Sequence, residues 1–397
     1  MRVLINGVAA LRPKTGIGHY IESLCDHFDP APGDHVELFP GELARRCVRR
    51  LFRPKAVVST PASGGASRSP TSPWLKTKSI KWAQKAGSIV FRKAFRALAH
   101  RVNADLYHEP NYIPWRCDLP AIATVHDLSV LMYPEWHPAE RVKYFETHFY
   151  RTLDRCVHLI TDTECVRREI IDKLGIPPAR ISTVHLGIRP ECRPLADEEV
   201  LPVLSRVNLQ PGYLLHVGTI EPRKNLLRLM QAYVELPSAL REKHPLILIG
   251  GWGWRNEKIR DYYESTGKHA GVRKLGYVPD EDLPALYNGA RALLFPSHYE
   301  GFGLPPLEML ACGGAVISSA AGSVAEILPA GSRLLDPEDT VGWRDRMHEV
   351  LTSDDEWQSL RQGSIAHAAR FNWNACARNT WAVYERVVGA GLRRQAA

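Results

Sequence analysis

Short apolar runs alternate with stretches of helical periodicity along almost the whole chain. Arg2-Val3-Leu4-Ile5 reads as a strand. After a glycine-containing loop, Ile21, Leu24, Cys25 and Phe28 recur at the i, i+3, i+4, i+7 spacing of one helix face. The first half offers four more strands, at 105–108, 121–125, 159–161 and 181–184. The second half repeats the scheme, with strands at 213–217, 246–249, 272–275, 292–295 and 315–318 and with Leu226, Leu229, Met230 and Tyr233 on one helix face. Two consecutive βα halves predict an α/β fold of two doubly wound domains on parallel sheets. The stretch 189–212 between them holds Pro190, Pro194, Pro202 and Pro211 and is the expected linker. Ligands of such sheets sit at the carboxyl ends of the strands, so the expected site is the cleft that the two domains face.

A length of 397 residues fits two cores of roughly 150–200 residues each better than one. The eight cysteines are scattered without a Cys-x-x-Cys pair, and no signal-peptide pattern opens the chain. Both features point to a reducing cytoplasm without a disulfide framework or structural zinc. No apolar run approaches the roughly 20 residues of a membrane-spanning helix. The net charge of +8 is uneven: fifteen Lys and Arg and no Asp or Glu fall between Ala44 and Arg101, leaving the rest of the chain at −7. Within that segment, 59–73 is rich in Ser, Pro and Gly, and 74–101 interleaves Trp74, Trp82, Phe91 and Phe95 with its cations. Such a patch either meets an anionic partner or is a solvated insert.

Three Gly-x-Gly loops follow strands, at Gly16-Ile17-Gly18, Gly251-Trp252-Gly253 and Gly301-Phe302-Gly303, and none completes a dinucleotide fingerprint. The richest segment is His298-Tyr299-Glu300-Gly301-Phe302-Gly303-Leu304-Pro305-Pro306-Leu307-Glu308, directly after a strand. Its glycines let backbone approach a ligand. Pro306 suits a first helical position, which puts Glu308 in the first turn and leaves free N–H groups from Phe302 to Leu304. Two carboxylates flanking that loop can accept hydrogen bonds from vicinal sugar hydroxyls. Glu308 reads equally as a helix-capping acid. In Gly218-Thr219-Ile220-Glu221-Pro222-Arg223-Lys224-Asn225, two cations stand before a helix N-terminus, where the macrodipole opposes them. A bound diphosphate would resolve the conflict; solvent-facing side chains are the alternative. His126 and Asp127 end a strand and fit acid–base or substrate-orienting roles, or a structural His–Asp pair. Asp280-Glu281-Asp282 resembles a metal-binding Asp-x-Asp, but its place before a helix favours capping. No other cluster has ligand spacing, so no catalytic metal and no cofactor are expected.

At these residues the chain resembles the family 4 retaining glycosyltransferases, whose fold is GT-B, over nearly its whole length except roughly 41–101. The carriers are the Glu-x7-Glu spacing of Glu300 and Glu308 followed by Ala311-Cys312-Gly313-Gly314-Ala315-Val316, the Glu-Pro-Arg-Lys-Asn stretch, and Phe371-Asn372-Trp373 through Tyr384. The resemblance implies two Rossmann-like domains. Residues 1–195 would form an acceptor-binding domain with a basic insert at about 41–101. Residues 205–370 would form the nucleotide-sugar domain, and 371–397 a helix returning to the first. It further implies that Arg223 and Lys224 bind the donor diphosphate and that Glu300 and the amides of Gly301, Phe302, Gly303 and Leu304 hold the sugar. Glu308 would bind the ribose, Tyr277 and Val278 after Gly276 would border the base, and Gly16 and Gly18 would approach the phosphate. His126 would stand beside the reacting carbon, with Asp127 toward the acceptor. Gly218 is followed by Thr219 where many members carry Arg, a charge that Arg223 would supply. The implied reaction retains anomeric configuration without a metal, the leaving phosphate oxygen taking the acceptor proton.

The stretch from Thr124-Val125-His126-Asp127 to Pro134-Glu135-Trp136-His137-Pro138 further resembles bacterial mannosyltransferases of O-antigen and surface polysaccharide. It implies GDP-mannose or a GDP-deoxyhexose as donor and a glycan acceptor, lipid-linked. A UDP-sugar transferase, a GT-B epimerase or phosphorylase, and a basic nucleic-acid- or sugar-binding protein are the alternatives. No nucleic-acid motif accompanies the basic segment, so 44–101 is expected to meet an anionic membrane surface, placing the protein peripherally on the inner face of the cytoplasmic membrane.

Overall fold

The computed structural model describes residues 1–11, 16–41 and 90–395. The low-complexity stretch 59–73 and the basic flank up to residue 89, with Trp74 and Trp82, lie outside the described residues. The chain divides into two compact units: 1–124 with 154–158 and 381–397, and 125–153 with 159–380.

Among the described residues, eleven strands form two parallel sheets. The first orders β2-β1-β3-β4-β5-β6, from β1 (Arg2–Asn6), β2 (His35–Phe39), β3 (Leu106–Glu109), β4 (Ala121–Val125), β5 (Cys156–Thr161) and β6 (Ile181–Thr183). The second orders β11-β10-β7-β8-β9, from β7 (Tyr213–Val217), β8 (Leu246–Ile249), β9 (Val272–Gly276), β10 (Ala290–Phe295) and β11 (Val316–Ser318). Strands such as Ala121–Val125 and Leu246–Ile249 are buried at every residue because helices cover both faces, which is why they read as unbroken apolar runs. β2 escaped the pattern because its central residues are only half-buried and alternate with Glu37.

The helices used below are α1 (Gly16–Asp26), α2 (90–101), α3 (Ala139–Arg155), α4 (Glu164–Leu174), α5 (Asp197–Arg206), α6 (Leu226–Val234), α7 (Leu283–Asn288), α8 (Leu304–Ala311), α9 (Thr340–Thr352) and α10 (Trp373–Gln395). Leu226, Leu229, Met230 and Tyr233 of α6 are buried, as their spacing predicts, and pack in one core with Trp343, Met347 and Val350 of α9. In the first unit, Phe28 packs edge-on against Trp381 of α10 at 5.7 Å, and the Tyr384 hydroxyl meets His108 Nδ1 at 2.6 Å.

Three local expectations change. The linker 189–212 contains α5, which buries Val200 and Leu204 and carries Pro202 inside; three acids in its first turn favour the helix there. Gly16 and Gly18 are the first and third residues of α1 rather than a loop. Asp282 occupies the N-cap of α7 without capping it, because its carboxylate pairs with Arg206 instead.

Candidate active site

The order of the second sheet reverses between β7 and β10, the place where the loops leaving two adjacent strands part and open a crevice. Those two loops carry the charged residues singled out in the sequence. After β7 the chain makes a short 3-10 turn, Pro222–Lys224, and Asn225 in left-handed conformation (φ 55°) starts α6. After β10, residues 296–303 lead into α8.

Glu300 joins the loops. Its carboxylate accepts hydrogen bonds from Lys224 Nζ at 2.6 Å, Arg223 Nη1 at 2.7 Å and Ser297 Oγ at 2.6 Å. Burial alone would raise its pKa, but the Arg223 and Lys224 charges and these hydrogen bonds outweigh it and hold the carboxyl at about 2. Arg223 also donates Nη1–H to the Tyr299 carbonyl at 3.0 Å and Nε–H to Glu221 at 3.1 Å, while its own carbonyl accepts from the His298 amide at 2.8 Å. The cations before α6 are therefore neither solvent-facing nor in need of an external anion to be tolerated. Glu221 and Glu300, both buried, balance their charge within the protein.

Beneath Lys224 lies His216 of β7. Its Nδ1–H donates to the Leu294 carbonyl at 3.0 Å, which fixes the tautomer and leaves Nε2 with a lone pair. Burial pulls its pKa down to about 4, so the ring is neutral at physiological pH.

Helix α8 starts earlier than expected. Gly303 (φ 111°) is its N-cap, Leu304 its first residue, and Pro305 and Pro306 follow. Glu308 is thus the fifth helical residue, beyond the first turn, and does not cap the helix. It is 2% exposed, accepts a hydrogen bond from Tyr287 Oη at 2.8 Å and pairs with Arg189 Nε at 2.9 Å. Arg189 reaches Asp280 as well, at 3.2 Å. Among the described residues, the amides of Gly301, Phe302, Gly303 and Leu304 have no hydrogen-bond acceptor. With proline at the next two positions, those four are the N–H groups left at the positive end of α8.

The same unit brings His126, Asp127 and Asp162 to this loop. His126 Nδ1 meets Asp162 Oδ2 at 2.7 Å, not its neighbour Asp127. Burial raises the Asp162 pKa against the opposing effect of His126. Asp127 accepts from the amide and hydroxyl of Ser129 at 2.8 and 2.7 Å. Burial opposes its ionisation, yet the Arg223 guanidinium and the Ser129 bonds hold it below its usual range. A Cβ added to Gly301 would stand 1.9 Å from the His126 carbonyl oxygen, so only glycine lets these segments meet. The Thr163 hydroxyl donates to the Gly301 carbonyl at 3.0 Å, and the Ser323 hydroxyl to the Glu300 carbonyl at 2.8 Å.

Of the residues expected in one site, Glu300, Arg223, Lys224, Gly301, His126 and Asp127 form one cluster. Glu308 has its own partners, buried Tyr287 and half-buried Arg189. Tyr277 is 66% exposed with Val278 buried beside it, and Thr219 is exposed. Gly16 and Gly18 belong to the first unit. Sequence reasoning missed Asp162, Ser297, Ser323, Arg189 and His216 as partners. Asp162 follows β5 as Asp127 follows β4, and that strand-end position was the available signal. Among the described residues no group of three or more His, Cys, Asp or Glu is placed to hold a metal.

Residues 16–191 match the family described as Glycosyltransferase Family 4, and residues 200–367 that described as Glycosyl transferases group 1. The chain is 35% identical over 364 residues to O-antigen chain mannosyltransferase B of Escherichia coli, covering 87% of this chain and 95% of that protein. Serotype-specific mannosyltransferase WbdA of E. coli is 27% identical over 266 residues, which are 66% of this chain and 32% of that larger protein. Among solved structures, sucrose-phosphate synthase of Thermosynechococcus elongatus superposes with a TM-score of 0.68 at 19% identity, over 98% of this chain and 100% of that one. Anabaena HepE, solved with UDP and glucose, gives 0.70 at 13% identity over 97% and 100%. WaaG, a glycosyltransferase involved in lipopolysaccharide biosynthesis, gives 0.63 at 14% identity over 96% and 98%. At these identities the structural likeness speaks for the fold alone, which is the expected GT-B fold of two parallel-sheet, Rossmann-like domains.

Proposed function

Because the chain belongs to the family 4 glycosyltransferases, we propose that it moves mannose or a related deoxyhexose from a GDP-sugar to a lipid-linked glycan acceptor, with retention and without a metal, in surface-polysaccharide synthesis. Its domains in this reading are 1–195 and 205–370, with 371–397 returning to the first. The observation that carries the reading is the Glu300–Arg223–Lys224 cluster beside the unpaired amides of Gly301 to Leu304. The names of the two E. coli relatives support mannose.

The geometry supports an exchange of partners on binding. Without donor, Glu300 occupies both cations. A diphosphate gives Arg223 and Lys224 phosphate oxygens in its place, and Glu300 is then free to accept hydrogen bonds from sugar hydroxyls. In the donor-free state Arg223 and Lys224 keep the carboxyl ionised, so it meets the incoming sugar as an acceptor. The amides at the start of α8 add fixed dipoles, and the charge developing on the leaving diphosphate falls on groups already oriented. Side-chain cations thus fill the role a divalent ion would play in charge neutralisation. His126, its ring held by Asp162, stands beside the sugar, with Asp127 toward the acceptor. Glu308, oriented by Tyr287 and Arg189, holds the ribose hydroxyls, and Tyr277 lies against the base.

A thermal-shift panel of GDP-, UDP- and ADP-sugars with EDTA present tests this directly. GDP-mannose should raise the melting temperature most, as a ligand binding only the folded state must. A larger shift with UDP-glucose would replace the donor assignment, and no shift with any nucleotide sugar would overturn the function.

A further inference from the structure

The cluster above lies at carboxyl ends of strands. At the opposite, amino-terminal edge of the first sheet there is a cavity of about 400 Å³, lined chiefly by Arg96, Trp115, Arg116, Asp118, Leu119 and Arg155. Its position follows from the chain: Leu119 leads into β4, Arg155 directly precedes β5, and Arg96 comes from α2. All of these residues belong to the first unit.

Three exposed arginines from three separate segments line the cavity, with one exposed carboxylate, Asp118. Arg96 is oriented by its Nε–H, which donates to the Arg116 carbonyl at 2.8 Å, and its terminal nitrogens have no partner among the described residues. Arg92 lies over the Trp115 ring at 5.9 Å, bringing a fourth cation to the rim. Among the described residues none of the three lining arginines is paired with a carboxylate. Like charges gathered around one cavity repel one another, and a bound anion removes that cost. Guanidinium forks match the oxygens of a phosphate, which takes two or more at once.

A separate observation points to a surface rather than a small solute. The acid-free run of the sequence ends in α2, which contributes Arg92, Lys93, Arg96 and Arg101. Val90 at the start of that helix is 64% exposed. An exposed apolar side chain next to unpaired cations is the composition that settles at a lipid headgroup boundary. We propose that this cavity is a phosphate-binding site that takes the headgroup phosphate of an anionic membrane lipid. It shares no residue with the donor cluster and stands or falls separately from it.

The test is the double variant Arg116→Ala/Arg155→Ala, compared with the wild type in co-sedimentation with phosphatidylcholine vesicles, with and without phosphatidylglycerol. In parallel, inorganic phosphate is titrated in thermal denaturation, where any binding at the donor site is common to both proteins. Losing two cations at about 1 kcal/mol each should weaken binding to the anionic vesicles about thirty-fold and reduce the phosphate-induced stabilisation. A normal melting temperature and a normal response to GDP-mannose show that the variant is folded. If phosphate stabilisation falls while vesicle binding is unchanged, the lipid assignment is wrong and the site takes a soluble phosphate ester. If neither changes, the cavity is not a phosphate site.

Discussion

At the scale of single residues, buried carboxylates have opposite fates according to who faces them. Glu300 meets two cations and stays ionised. Glu109, at the end of β3, accepts from Tyr107 Oη at 2.5 Å, Asn6 Nδ2 at 2.8 Å and the Asn111 amide at 3.1 Å, none of them charged. Burial outweighs those bonds and pushes its pKa up to about 8. Between the unfolded value of about 4.3 and about 8, the folded protein holds a proton that the unfolded chain has released. Its stability should therefore fall as pH rises through that window. Glu109→Gln removes the dependence, so its urea midpoint should gain on the wild type between pH 5 and pH 8. A difference between the two proteins that does not vary with pH would show that the carboxyl is not held neutral. None of this was legible in the sequence, because nothing local distinguishes Glu109 from an exposed glutamate. Its neutrality depends on Asn6, a hundred residues away, and on the depth of the strand end.

At the scale of elements, the apolar runs predicted nearly every strand, since a strand covered on both faces tolerates little else. The pairing of loops was less accessible. The Glu-Pro-Arg-Lys-Asn stretch and the Glu300 loop are seventy residues apart and meet because β7 and β10 are neighbours at the point where the sheet order reverses. The His126–Asp162 pair meets because β4 and β5 are adjacent strands of the first sheet. Helix starts were misjudged where glycine and proline compete: Pro306 looked like the first helical residue, but Gly303 in left-handed conformation lets α8 begin at Leu304. Gly301 packs directly against the His126 carbonyl. Gly301→Ala must push the loop away, which costs on the order of 1–3 kcal/mol and shifts Glu300 from Arg223. Donor turnover should fall at least tenfold with a lowered melting temperature. Unchanged kinetics would mean that the two segments need not touch.

At the scale of the whole molecule, the arrangement of two parallel sheets was readable from the alternation of runs and helices, and the family from the spacing of Glu300 and Glu308. The internal neutrality of the site was not. Two carboxylates hold the cations expected to await a diphosphate, so the donor binding we propose is a substitution of one partner for another rather than the filling of a bare positive site. The central claim is that Glu300 changes partner and takes the sugar. GDP release from GDP-mannose, in EDTA and with membrane-extracted acceptor, measures it most directly in the wild type and in Glu300→Gln. Turnover in a variant that melts cooperatively should fall by about 100-fold or more, the scale of losing one preorganised polar contact in a transition state. Turnover equal to that of the wild type would contradict the account.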